Sequence, residues 1–408
     1  LQTNIGIKTE LKLPLILIHT GFGLKFFDKI AKTKIGKIYA DFNTYLMPLI
    51  TALAIFLILS SIIVLFSNDS ARAGARDLGP QSNILIPGLN PILPWTYGWA
   101  ALIVTIVIHE AGHGIVARVY NTKVESTGIV LFLGIPIGAF VNIQQDELNK
   151  TTFKQKSAIL TAGPLNNMIM AGISLVLLFF AVSTLTPVPN SQPTDIGLKI
   201  LGVNDKSLAQ SIGLEKDSVL RSINGEPMND VSKFREILKD NLGSYIEIKW
   251  TSSDNQNRSS SVKLPDVPPG NNVILGVSLT NLNPDPVLVL DIYKNAFTSS
   301  PLAILMPPTI QQGVVPFSDL MAPYYTSSIF GDFFPIISNF LFWNWFINFN
   351  VGIFNALPIA MLDGGQWYGS LLEKKFKTKN TRLSPSTILT LIMLAIVVMA
   401  FVLPWIPW

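Results

Sequence analysis

Two of the three histidines in this 408-residue chain lie four residues apart, at His109 and His113, with Glu110 directly after the first. On a helix that spacing puts both imidazoles one turn apart on one face, where they can reach a single ion. H-E-x-x-H is the arrangement of zinc hydrolases: the histidines hold the metal, zinc lowers the pKa of its water to about 7, and the glutamate takes the proton. Cysteine is absent, which excludes disulfides, thiolate ligands and a cysteine nucleophile. Any transition metal must therefore be held by His, Asp or Glu.

A catalytic zinc usually has three protein ligands plus water. The remaining histidine, His19, lies near the basic start of the chain, so a carboxylate from another segment is the better candidate. Asp363 is the one acid in the apolar stretch NVGIFNALPIAMLDGGQW. Pro358 disfavours helix just before it, and Gly364 and Gly365 permit tight turns. The plainer alternatives are an aspartate that caps a helix and histidines that are merely hydrogen-bonded in a bundle. Against the second, an acid at the centre of a membrane helix costs about 2.5 to 3.5 kcal/mol on insertion scales and needs a partner.

The elements that must position these groups are membrane-spanning. The chain is 49% hydrophobic and 14% charged, with a mean hydropathy of +0.42, whereas soluble domains carry about 25% charged residues. Apolar runs near the roughly 20 residues a crossing needs are expected at 45–66, 99–119, 157–185, 333–354 and 387–402. Residues 11–27 are apolar but interrupted, and read as a surface or re-entrant piece. The stretch DSARAGARDLGPQSN reads as a solvated connector.

Basic residues orient the chain. Lys25, Lys29, Lys32, Lys34 and Lys37 precede the first crossing; Arg118, Lys123, Lys150, Lys154 and Lys156 follow the second; Lys374, Lys375, Lys377, Lys379 and Arg382 lie before the last. By the positive-inside rule these three segments are cytoplasmic. The segment from about 186 to 332 then lies outside, and LPWIPW ends the chain at an outer interface. The net charge of +4 is explained by lysines beside lipid headgroups, with no nucleic-acid partner.

HEAGH in one span and NALPIAMLDGG in a later one resemble the site-2 protease family of intramembrane zinc metalloproteases. Asn355, Pro358, Asp363 and Gly364 match that family's N-x-x-P-x-x-x-x-D-G, and Gly163, Pro164 and Asn167 match its G-P-x-x-N. GIPIGAFV is similar to its membrane-embedded β-hairpin, so the resemblance runs from about 97 to 368. It implies a Zn2+ cofactor held by His109, His113 and Asp363, with Glu110 as general base. Asn355, Asn167 and Gly138 would position a transmembrane protein substrate. The hairpin could pair by strand addition with an unwound substrate.

Between the third and fourth crossings the order of elements resembles a PDZ domain of the circularly permuted bacterial type. A short helix ends at Gly213, SVLRSI is a strand, Asn224 and Gly225 turn, DVSKFREILKD is a capped helix, and SYIEIKWTSS with SSVKLP form a hairpin. Such a domain binds a peptide or C-terminus, or acts as a filter that excludes bulky ectodomains. The expected fold is a polytopic α-helical membrane protein of about five spans, with a membrane-embedded β-hairpin and an inserted α+β PDZ domain. Its expected layout is an interfacial segment 1–42, membrane core 43–186, PDZ domain 197–280, covering segment 281–332, membrane core 333–370, cytoplasmic loop 371–386 and a last helix 387–408. The competing functions are a zinc transporter, since intramembrane His and Asp also mark ion pathways, and an inactive PDZ-bearing scaffold.

Overall fold

The computed structural model describes residues 7–133, 135–188, 197–205, 207–266, 274–282, 285–299, 304–376 and 384–406. Gly134 of the expected hairpin, Lys377, Lys379 and Arg382 of the loop expected to be cytoplasmic, and Trp408 of the terminal motif lie outside the described residues. The chain divides into two compact units, Leu1–Leu178 with Asn339–Trp408, and Phe179–Ser338.

The first unit begins with strands β1 (Lys8–Lys12) and β2 (Leu15–Thr20), followed by helices α1 (Leu24–Ala31) and α2 (Lys34–Asn43). Helix α3 (Met47–Ser67) has no charged residue and is mostly apolar. Helix α4 (Asp69–Leu78) corrects the expected solvated connector. Asn68 caps it by accepting from the Ala71 N–H, and Arg72 donates to the Leu65 and Phe66 carbonyls left open at the end of α3. Helix α5 (Trp95–Val119) carries the histidines. It stops where Asn121 takes a left-handed conformation (φ 57°), which asparagine tolerates.

Strands β3 (Val124–Phe132) and β4 (Ile135–Ile143) pair antiparallel where the membrane-embedded hairpin is expected. The hairpin is not alone, however: β2 pairs antiparallel with β3, giving one sheet in the order β1-β2-β3-β4. The N-terminal segment read as a surface or re-entrant piece is thus partly sheet. Its pairing joins residues more than a hundred positions apart, Ile18 to Ile129 for example. The short helix α6 (Gln145–Lys150) leads into the long α7 (Phe153–Ser183), which contains Pro164.

The second unit opens with β5 (Leu185–Pro187) and continues through β6 (Leu198–Val203), α8 (Leu208–Ser211), β7 (Val219–Ile223), β8 (Glu226–Pro227) and α9 (Val231–Asp240). Strands β9 (Tyr245–Thr251), β10 (Asn257–Lys263) and β11 (Val277–Asn281) complete a sheet ordered β10-β9-β7-β6-β11, with β8 on β7. Strand β9 alternates as an amphipathic strand should: Ile246, Ile248 and Trp250 are buried while Tyr245, Glu247 and Lys249 face out. The buried side chains join Leu198, Ile200, Leu220 and Phe234 in a core belonging to this unit alone. Helix α10 (Pro286–Ser299) and strand β12 (Tyr325–Ser327) lie in the expected covering segment, and β12 pairs with β5.

The chain returns to the first unit along α11 (Phe334–Asn355), then α12 (Asp363–Phe376) and α13 (Pro385–Val402). Among the described residues four helices are long and apolar enough to cross a membrane: α3, α5, α7 and α13, the last continued to Trp405. The fifth expected crossing, α11, is a 22-residue helix whose Asn339, Asn344, Asn348, Asn350 and Asn355 leave it outside that set. Two of these are fully buried for a reason: the Asn344 amide donates to Ser174 Oγ on α7 at 2.7 Å, and the Asn348 amide donates to the Asn344 carbonyl at 2.8 Å. The first of these joins two helices where apolar burial alone does not, and the second stays within α11. Helix α12 runs on to Phe376, so the expected boundary at 370 falls inside a helix.

Candidate metal centre

His109 and His113 point their Nε2 atoms at one place, 3.2 Å apart. Asp363 Oδ2 completes a triangle, 3.1 Å from His109 Nε2 and 3.3 Å from His113 Nε2. Ligands about 2.0 to 2.2 Å from one ion at tetrahedral angles stand about 3.3 to 3.6 Å from each other. The triangle closes on that size, and three vertices leave the fourth for water or substrate. Among the described residues this is the one group of three such side chains converging closely enough to hold a metal ion.

The donor set also fits a cation chemically. The three side chains are only 10 to 13% exposed, and Asp363 Oδ2 is buried without a hydrogen-bond partner. A buried carboxylate oxygen in that position needs a positive charge. His113 Nδ1–H donates to the Ile159 carbonyl at 2.7 Å, which leaves the Nε2 lone pair facing the triangle. Pro164 lacks the N–H that a regular helix would give to the Leu160 carbonyl, one residue after Ile159, so α7 is locally irregular beside the histidines.

His109 Nδ1 lies 3.0 Å from the Asn167 amide nitrogen, while Asn167 Oδ1 is buried and unpaired. Nitrogen and oxygen of such an amide are assigned by their surroundings. Turned over, the amide puts Oδ1 on His109 Nδ1–H, pairs the orphan oxygen and frees His109 Nε2 for the ion. Asn167 therefore sits behind a ligand, in the place from which it sets a tautomer, rather than on the open side of the triangle.

Close approach of α5 and α7 makes this possible. A Cβ at Gly163 would lie 2.4 Å from His113 Nε2 and 2.6 Å from His109 Nε2, and one at Gly112 would lie 2.5 Å from the Ala162 carbonyl oxygen. Asp363 is brought in by the fold of NALPIAMLDGG: α11 ends at Asn355, and α12 begins at Asp363 itself. Thr51 of α3 donates to the Ala356 carbonyl at 2.7 Å and fixes the turn. Any Cβ at Gly364 or Gly365 would strike the carbonyls of Ala356 and Ile359. Trp367, one turn further on, donates to Ser157 Oγ and ties α12 to α7.

Glu110 Oε2 accepts from the Val141 N–H of β4 at 2.8 Å, which links the glutamate to the sheet. Gly138 lies on the same strand opposite Val130. The Asn355 amide donates to the Val351 carbonyl of its own helix at 3.1 Å. A support absent from the sequence reading is a relay in which Tyr39 Oη donates to Asn166 Oδ1 at 2.5 Å and the Asn166 amide donates to the Ile108 carbonyl at 3.0 Å. Burial pushes the Tyr39 hydroxyl up to about 12, so it remains a donor. The sequence signal was the pair of adjacent asparagines in AGPLNN, of which the first serves the helix and the second its histidine.

Four helices of membrane-crossing length and a buried group of two imidazoles and a carboxylate that could hold a metal ion fit a membrane metalloprotease. The model of peptidase family M50 matches residues 97–400, and the chain belongs to that family. It is a membrane protein and a zinc metalloendopeptidase of the site-2 type. An uncharacterized protein of Methanocaldococcus jannaschii is 27% identical over 371 residues, 90% of this chain and 80% of its own. A Campylobacter jejuni protein provisionally named a zinc metalloprotease is 28% identical, covering 67% of this chain and 82% of its own. One from Fusobacterium nucleatum with the same provisional name is 25% identical, covering 66% and 85%. The PDZ domain of an SdrC-like protein from Listeria monocytogenes matches 22% of this chain and 93% of its own at 18% identity, with a TM-score of 0.20, too low for a likeness of fold to be drawn from it.

Proposed function

We propose that the protein hydrolyses a peptide bond within or at the edge of a transmembrane segment of a membrane-anchored substrate. The observation that carries this reading is the buried triangle of His109, His113 and Asp363 with Glu110 one residue from a vertex, on a helix apolar enough to lie in the bilayer. Zinc held there supplies Lewis acidity, polarising a carbonyl and acidifying water. Glu110 takes a proton from the attacking water and later delivers it to the leaving nitrogen. The Val141 N–H holds the carboxylate in place until then. Asn167 and the Ile159 carbonyl hold the two imidazoles.

A peptide bond inside a membrane helix must first leave the helix, since its amides are otherwise satisfied. Strand β4 offers a landing place: β3 pairs with one side of it, and among the described residues no strand pairs with its other side. An unwound substrate added to that edge runs beside Glu110, with Gly138 leaving room for its backbone and Asn355 as a further positioning group. Helix α11 is the fifth crossing, and the insert 197–280 lies outside the cell membrane as a PDZ-like domain. Its β11 is an edge strand beside α9, tied to it where the Val231 N–H donates to Asn281 Oδ1 at 3.1 Å. That edge suits an extended peptide, and the bulk of the domain suits a size filter.

A transporter would need ionisable groups through the depth of the membrane, whereas His109, Glu110, His113 and Asp363 gather at one level. A scaffold would not need a glutamate beside the ligands. The deciding experiment is cleavage of a short single-span substrate in detergent by the wild type and by Glu110→Gln, with zinc measured on both. Equal zinc and a rate lowered by about 10²- to 10⁴-fold in the variant is the expected result. Equal rates would remove Glu110 from the mechanism.

A further inference from the structure

Helices α1 and α2 expose what soluble helices bury. Along α2, Ile35, Ile38 and Phe42 form one stripe at intervals of three and four, Tyr45 follows just past the helix end, and each of the four is 60% exposed or more. Gly36, Ala40 and Asn43 form the stripe that packs inward. Phe22, at 86% exposure, and Phe26 extend the apolar surface beside α1, whose Leu24, Phe27 and Ala31 are buried. Lys25, Lys29, Lys32, Lys34 and Lys37 are all exposed among these side chains. Among the described residues none of the five has a carboxylate partner. Three residues, Thr44–Leu46, then separate α2 from the start of α3, the most apolar of the membrane-length helices.

We infer that α1 and α2 form a docking surface for anionic lipid headgroups of the cytoplasmic leaflet, and that this contact braces the zinc helix. The argument uses charge and continuity. A surface with bulky apolar side chains beside unpaired lysines matches an interface with acyl chains below and negative headgroups above. The direct run into α3 places it at the plane where that helix enters the bilayer. The inference rests on the reading that α3 crosses the membrane and begins on the cytoplasmic side.

The inward face reaches the catalytic helix at three points. A Cβ at Gly114, next to His113, would lie 2.5 Å from the Phe27 ring. Asp28 pairs with Arg118 of α5 at 3.3 Å. Tyr39 acts through Asn166 on the Ile108 carbonyl, one residue before His109. A surface held in the headgroups therefore holds α5 along the turns that carry both histidines.

Because the chain has no cysteine, Phe26→Cys and Ile38→Cys give clean single sites for a nitroxide. The full-length labelled protein is reconstituted in vesicles of phosphatidylcholine alone and of phosphatidylcholine and phosphatidylglycerol in equal parts. Accessibility to oxygen and to a water-soluble nickel chelate is read by spin resonance, together with zinc content and cleavage of a short single-span substrate. The expected result is that both labels are shielded from the chelate in the anionic vesicles and less so in the neutral ones, with faster cleavage in the former. Replacing all five lysines by glutamine should abolish both differences while leaving zinc content and cleavage in neutral vesicles unchanged. Labels open to the chelate in both vesicles would overturn the docking surface. Labels equally shielded in both vesicles and in detergent would overturn it in favour of a second copy or a protein partner. Cleavage indifferent to lipid charge with shielded labels would overturn the bracing. Charge-dependent shielding with no cleavage in any vesicle would support the surface and count against the hydrolytic reading.

Discussion

The metal centre and the inserted sheet solve the problem of burying polar chemistry in opposite ways. In the insert, β9 puts Ile246, Ile248 and Trp250 inward and Glu247 and Lys249 outward, so its core is almost wholly apolar, the Trp250 indole N–H being its main polar group. The centre buries two imidazoles and a carboxylate among apolar helices, and each imidazole is held by a further group: Ile159 on His113 and Asn167 on His109. The lesson is that the insert's stability is distributed over an area, whereas the centre depends on a few atoms at fixed distances. Damage to the first should cost stability gradually, and damage to the second should cost metal or chemistry abruptly.

The sharpest break in this contrast is Asp363→Ala. With two imidazoles and no carboxylate the site should lose most of its zinc and all measurable cleavage while the helices remain folded; elemental analysis and circular dichroism on the purified variant check this. Next is Trp250→Ala, which should destabilise the insert by about 3 to 5 kcal/mol, the usual cost of deleting a buried tryptophan. Hydrogen exchange over 197–280 should quicken while zinc content stays at the wild-type level; a fall in zinc would show that the two regions are not energetically separate. Asn167→Ala should weaken zinc binding by about 10- to 100-fold, as expected for the group behind a ligand, measured by competition with a chelator. The smallest effect is expected for Asp230→Ala. Asp230 caps α9 by accepting from the Ser232 N–H at 2.8 Å, and its loss should cost about 1 kcal/mol, visible as faster exchange in α9 alone.

How much of this was legible in the sequence depends on how local each signal is. His109, Glu110 and His113 declare themselves by spacing on one helix. The elements of the insert do too, since β9, the turn at Asn224 and Gly225 and the cap of α9 are short-range patterns. Asp363 needed a resemblance, because a DGG turn alone reads equally well as a helix start, and the structure does place it at one. The sheet partners of the hairpin were not legible, since β2 meets β3 across more than a hundred residues with no local mark of the pairing. Helix α4 was misread because its glycine and small residues resemble a connector; its stability comes from Asn68 and from Arg72 bonding to the previous helix. The asparagines of α11 lower the apolar signal; one of them, Asn344, is used in a buried hydrogen bond to α7, and Asn348 in one within its own helix.

X-ray absorption at the zinc edge on the purified wild-type protein tests the central claim most directly. One zinc per chain, with two imidazole nitrogens and a first shell completed by oxygen at about 2.0 to 2.2 Å, is the predicted result. Three imidazoles, which would require His19 in place of Asp363, or sulfur from methionine in the first shell, would contradict it.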